Sequence, residues 1–254
     1  MPLTFPAHQA VVLPIKLRWP DRTDATAMCV GAAAPDLLYP VAGIGSSGHS
    51  IAGVLIGAVP LTLAICWLLR WRSALGVFAN LPDAGPFRLH SYRVITQRRP
   101  GAWTTLLSAL FGALSHVVID AFTHGGRWGS DLLGLDEVLF TAPLRGAMTG
   151  ARVLQYLGHS LGSLIAIGLF LYIGRSRRLE QWYGEAAVTD ARTFTLPPMA
   201  RVRFWVVLVS VALLVTAGLS AAGGSLTFSA IDGLVFGTLV AGALPTRHPV
   251  AAEV

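Results

Sequence analysis

The sequence predicts an all-α fold, a polytopic bundle of five to six transmembrane helices, and three observations carry that reading. The 254 residues are 54% hydrophobic and only 13% charged, a balance unlike that of water-soluble globular domains. Mean hydropathy is positive, at +0.61. Apolar runs recur at residues 50–69, 102–122, 157–174, 204–223 and 228–244, each near the ~20 residues that a bilayer-spanning helix needs.

In chain order, the first 14 residues lack a basic leader and carry Pro2, Pro6 and Pro14, so the spans themselves are expected to target the chain to the membrane. A weaker apolar run at 25–44 contains Pro35, Asp36 and Pro40. Proline removes a backbone donor and breaks a helix, which predicts a sheltered, interrupted or re-entrant segment rather than a plain span. The five clear runs follow. They divide the chain into a membrane domain at 1–174, a cytoplasmic linker at 175–203 ending near Pro197-Pro198, and a C-terminal transmembrane hairpin with its tail at 204–254.

The charges orient the bundle. The loop at 70–99 has six arginines against Asp83 alone, and the loop at 175–203 has six against three acids. The positive-inside rule assigns both to the cytoplasm and the plasma (inner) membrane as the location. Residues 125–156 mix both signs and fall outside, together with the helix ends bearing His49, His124 and His159. The net charge of +6 flanks the apolar runs without an aromatic-interleaved basic motif, so it speaks for lipid headgroups and against nucleic acid. Trp67, Trp71, Trp103, Trp128 and Trp205 sit at run ends, as an interfacial belt does. Cys29 and Cys66 lie in apolar surroundings and read as buried hydrophobes.

Against this background the ionisable residues inside or beside the runs stand out, since a charge in the bilayer is expensive unless paired or liganded. His116, Asp120 and His124 follow at i, i+4 and i+8, which on a helix stacks them along one face as a ladder of metal-ligand types. His8 precedes a short apolar run. Asp36 sits in a small-residue stretch, as helix cap or ligand. His49 opens the first clear run, with Ser50 as its cap. Gln155 and His159 open the third. His90 and His248 lie away from this group, and Asp232 has no evident partner.

A mixed His/Asp set without thiolates suits a borderline or hard divalent ion, zinc first. Such an ion acidifies a bound water and polarises a phosphoryl oxygen, and at an outer interface the natural substrates are phosphoesters of lipids or envelope intermediates. His124 and His159 are the candidate acid–base groups. Two other readings stay open: a metal or solute carrier with a polar translocation path, and a structural assembly factor whose polar seam locks helices together. The sequence leaves the oligomeric state open.

Phe5-Pro6-Ala7-His8, Ala34-Pro35-Asp36-Leu37-Leu38-Tyr39, His49-Ser50 and the stretch from Ser115 to His124 together resemble the bacterial domain-of-unknown-function family 4184. That family is similar to membrane-bound metal-dependent hydrolases, which pair a Pro-Asp element with His-Ser and Ser-His-x-x-x-Asp elements. The resemblance implies His8, Asp36, His49, His116 and Asp120 as metal ligands and His124 as a sixth. Where the hydrolases often carry a second carboxylate after Pro-Asp, this chain has Leu38, and a basic residue before glycine in a His-Arg-Gly-like element is missing.

Overall fold

The computed structural model describes residues 4–41, 45–97, 99–193 and 196–244; His248 lies outside them. The chain divides into two compact units, Met1–Cys66 with Pro100–Tyr172 and Trp67–Arg99 with Ile173–Val254. The helices are α1 (Thr4–Ala7), α2 (Gln9–Arg18), α3 (Ala25–Gly31), α4 (Ala34–Leu37), α5 (Ile51–Asn80), α6 (Ala102–Thr123), α7 (Trp128–Leu132), α8 (Gly150–Arg175), α9 (Arg178–Tyr183), α10 (Glu185–Thr193), α11 (Pro198–Ala221) and α12 (Leu226–Gly242). Four of them, α5, α6, α8 and α11, are long and apolar enough to cross a membrane, whereas α12 is apolar but shorter. Their outward side chains, among them Ile56, Leu107, Leu164 and Leu214, are exposed and apolar, as are the five belt tryptophans.

In the first unit the weak run at 25–44 is broken, as its prolines dictate. Asp24 caps α3 by accepting from the Ala27 N–H at 3.2 Å, and α3 ends before Pro35 opens the single turn of α4. Asp24 does more than cap. It accepts from the Thr105 hydroxyl at 2.8 Å and donates its own N–H to Ser108 Oγ at 2.9 Å, all buried, which fixes the start of α3 against α6. Lys16 closes the preceding turn, its ammonium donating to the carbonyls of Pro20 and Thr23. Asp24→Ala removes the cap and the buried carboxylate acceptor of the Thr105 hydroxyl, while the backbone N–H that reaches Ser108 stays. A loss of about 2–3 kcal/mol is expected from a cap of about 1 and a buried polar group of about 1–3, to be read as a lowered midpoint in denaturant against wild type.

Small residues let α3 and α6 touch backbone to backbone. A Cβ on Gly31 would lie 2.5 Å from the Ala109 carbonyl oxygen, and one on Gly112 would lie 2.4 Å from that of Met28. Ala27, Ala109 and Ala113 fill the rest of the contact. Beside it Ala34, Leu38, Val54, Ala58, Val59 and Val117 form the core. Ser50 caps α5, accepting from the Gly53 N–H at 3.0 Å. The next turn, Val54–Ala58, is a wider π-helix just before Pro60. A π turn relieves the clash between a proline ring and the carbonyl one turn back, and it re-aims the start of the helix.

Between α6 and α8 the chain forms α7 and a two-stranded antiparallel hairpin, β1 (Val138–Ala142) and β2 (Gly146–Thr149). This hairpin departs from the all-α expectation. It is short enough, and flanked closely enough by Gly134 and Gly146 at positive φ, to leave no helical periodicity to read.

The second unit is built on α11 and α12, packed antiparallel with Phe204 and Leu208 against Val77 and Ala241. Ser73 donates to the Leu239 carbonyl at 2.7 Å. The stretch expected to be a linker is itself structured: α9 and α10 cover Leu89–Thr96, a 3₁₀ segment whose Arg93 is buried and donates to the carbonyls of Ala191 and Phe78 at 3.0 and 3.2 Å. Arg88 pairs with Glu180, and Arg192 with Asp83 at 2.7 Å. Several of the arginines that argued topology by number are therefore pinned individually. Burial raises the Asp83 carboxyl, but the His90 N–H and the Arg192 guanidinium outweigh it and hold it below the usual carboxylate range. A depressed carboxylate stabilises above its unfolded-state value near 3.8 and loses that contribution as pH falls through its lower folded value. Wild type is thus expected to lose hydrogen-exchange protection at 89–96 on acidification below about pH 4, while Asp83→Asn, already weakened at neutral pH, shows a flatter response.

Candidate metal centre

Four side chains from three segments of the first unit converge: Asp36 from α4, His49 from the 3₁₀ turn Gly45–His49, and His116 and Asp120 one turn apart on α6. All four are buried, and one ligand-type atom from each lies within 4.8 Å of the others. The α3–α6 contact positions the centre. By bringing Ala32 against α6 it lets His116 Nδ1 donate to the Ala32 carbonyl at 2.8 Å, which fixes the tautomer and leaves the Nε2 lone pair facing inward.

The inward atoms form a tight set. His49 Nε2 and His116 Nε2 lie 3.1 Å apart. Asp36 Oδ1 is 3.4 Å from His49 Nε2 and 3.6 Å from His116 Nε2. Asp120 Oδ2 is 3.5 Å and 3.4 Å from the same two nitrogens. Two Nε2–H groups cannot face each other at the ring separation seen here, so at most one proton fits between the rings. Two carboxylates are then balanced by no more than one positive charge from this pair, and an uncompensated buried charge is costly. A divalent cation neutralises both carboxylates at once. This group could hold a metal ion.

His8 and His124 flank the centre on the second oxygen of Asp120, with His8 Nε2 at 3.7 Å and His124 Nδ1 at 3.6 Å from Oδ1. The His8 ring stacks on His116 at 4.0 Å between centroids, and neither of its buried nitrogens has a hydrogen-bond partner among the described residues. Burial and the adjacent His116 push the His8 imidazole down to about 3, so it is neutral at physiological pH. His124 departs from the expected ladder. The helix ends at Thr123 and His124 takes an extended backbone; its ring keeps Nδ1 beside Asp120 and meets the Gln155 amide through Nε2 at 2.6 Å. Burial lowers its imidazole as well. With its side chain 31% exposed, against 7% or less for the other members, it marks the open edge of the centre.

His159 is buried on α8, and its Nδ1 has no hydrogen-bond partner among the described residues. It takes part in none of the contacts above, although it is near enough to bear on the charge of His8. Asp36 is no helix cap, since Ala33 holds that position. Asp232 is buried in α12 of the second unit, and His90 there is bound by the Leu81 carbonyl at 2.9 Å. The Ala32 carbonyl, a backbone group, and the Asp24–Thr105–Ser108 knot were invisible as site components in the sequence; only the small-residue run at 31–34 hinted at a close backbone approach. Among the described residues neither Cys29 nor Cys66 forms a disulfide.

The model of a domain of unknown function (DUF4184) matches residues 1–243. The chain belongs to the DUF4184 family. No curated protein and no solved structure shows significant similarity to it. All four members of the buried centre, together with His8, His124 and His159, fall within the DUF4184 region.

Proposed function

We propose that this DUF4184 protein is a membrane-embedded, metal-dependent hydrolase acting on a phosphoester, a lipid or an envelope intermediate, at the outer face of the inner membrane. The observation that supports it best is the set of five inward distances between 3.1 and 3.6 Å. Four ligands held at the roughly 2.0–2.1 Å of zinc–nitrogen and zinc–oxygen bonds in a tetrahedron lie about 3.3–3.4 Å apart, so zinc is the favoured ion. Bound there, the ion would acidify a water and polarise the phosphoryl oxygen.

The chain's own residues supply the rest. Asp36, His49, His116 and Asp120 hold the ion, the Ala32 carbonyl orients His116, and His8 packs over that ring. His124, at the open edge and backed by Gln155, is ligand or base, and His159 assists proton transfer. With α12 as a short fifth span in a locally thinned bilayer, the bundle has five spans, and the arginine count favours the outer side for the centre. A carrier needs polar groups continuing through the bilayer, yet the inner part of α6 spends Thr105 and Ser108 on Asp24. That favours a site over a path.

The test is a screen of phosphomonoester and phosphodiester lipids with zinc-loaded protein in vesicles. Hydrolysis that is lost in His116→Ala and reduced by roughly 10²–10⁴-fold in His159→Ala, with the metal retained in the latter, is the expected result. Turnover unchanged by either substitution contradicts the reading.

A further inference from the structure

The hairpin beside the metal centre is built for a surface other than water. From Val138 to Thr149 the sequence is VLFTAPLRGAMT, whose one ionisable side chain, Arg145, turns back over the Tyr156 ring at 4.7 Å. Val138, Leu139, Phe140 and Leu144 are all exposed, Leu144 completely, and Leu132 and Leu133 of the preceding segment are exposed as well. Since neighbouring residues of a strand point to opposite faces, apolar side chains project from both faces of β1. A lone two-stranded hairpin is marginal in water at best, and among the described residues none covers Val138, Leu139 or Phe140 of β1, all of which stay exposed.

The turn makes the same point. Arg145 N–H donates to the Ala142 carbonyl at 3.2 Å across Pro143 and Leu144, and Leu144 has φ +64°. Proline followed by a residue at positive φ describes a type II turn, whose second central position in water belongs to glycine or asparagine. Leucine there accepts backbone strain in order to place a large apolar side chain at the tip. The exposed apolar surface also continues into the spans: the hairpin leads into α8, where Leu154, Leu157 and Leu161 are exposed, and it is reached from the end of α6 through exposed Trp128.

From this we infer that residues 128–149 insert their hairpin into the lipid leaflet, with Leu139, Phe140 and Leu144 among the acyl chains and Arg145 reaching back to the headgroups. Asp120 and His124 stand at the end of α6, where this segment begins. The open edge of the centre therefore adjoins the leaflet, and the substrate class reaching it is membrane lipid. The insertion rests on the membrane reading alone; only its link to substrate rests on the metal-centre proposal.

The experiment is spin-label depth measurement on the full chain in phosphatidylcholine/phosphatidylglycerol vesicles, with Cys29→Ala and Cys66→Ala as background. Labels go at Leu139→Cys and Leu144→Cys, with Glu137→Cys as the aqueous reference and Val209→Cys, exposed on α11, as the lipid reference. Insertion predicts that labels at 139 and 144 collide with oxygen in preference to a water-soluble nickel chelate, as the label at 209 does, whether or not metal is bound. Nickel access equal to that at 137 overturns the proposal. So does inaccessibility to both agents, which would mean that another copy of the chain covers the hairpin. Because no metal enters the readout, failure here is distinct from failure of the hydrolase reading.

Discussion

Alanine at Asp120 is expected to empty the metal centre. Its Oδ2 stands within 3.5 Å of His49 and His116 Nε2, and its Oδ1 within 3.7 Å of His8 and His124, so it bears on four members of the group through its two oxygens. Removing even a group that merely orients a ligand costs roughly 10–100-fold in metal affinity; removing a ligand and its charge should cost more. The fold should lose stability with the ion. At a free metal concentration of 100 times Kd, binding contributes about 2.7 kcal/mol, and that contribution disappears in the variant. Thermal unfolding with and without chelator checks this: chelation lowers the wild-type midpoint and leaves Asp120→Ala unchanged. Equal midpoints for wild type in both conditions would contradict it.

The second large effect lies away from the metal. Valine at Gly112 would force a Cβ to 2.4 Å from the Met28 carbonyl oxygen, a contact with backbone that no rotamer relieves. The two helices must separate, at a cost of about 3 kcal/mol or more from overpacking. Separation also draws the Ala32 carbonyl away from His116 Nδ1. Gly112→Val is therefore expected to lose both stability and metal, whereas Asp120→Ala loses the metal and keeps the α3–α6 contact. Crosslinking between cysteines placed at Ala27 and Ala109, both fully buried in that contact, with Cys29 and Cys66 replaced by alanine, separates the two cases: it should persist in Asp120→Ala and fall in Gly112→Val.

What the sequence made legible follows from which forces leave a periodic trace. Long apolar runs revealed α5, α6, α8 and α11, because lipid-facing helices must be apolar along their length. The i, i+4 spacing placed His116 and Asp120 on one face, and Pro35 broke the run at 25–44 where expected. That His124 falls one residue past the end of α6 was not legible, because nothing in Ala121-Phe122-Thr123-His124 signals a helix end; Gly125 and Gly126 follow only afterwards. The hairpin was missed because its apolar residues alternate for too few positions to stand out from the runs beside it. The helices α9 and α10 between α8 and α11 were not read because they are held by tertiary contacts such as Arg93 to the Ala191 carbonyl, which no local pattern encodes. Asp24 escaped notice because its partners, Thr105 and Ser108, are more than 80 residues away in sequence.

The central claim is that Asp36, His49, His116 and Asp120 bind a divalent ion, and elemental mass spectrometry of the purified protein in mild detergent tests it most directly. Wild type should carry one or more equivalents of a divalent metal, zinc first, and the His116→Ala/Asp120→Ala double variant none. Wild type without metal after zinc add-back, or equal metal in the double variant, would contradict the account and leave the cluster as a polar seam between helices.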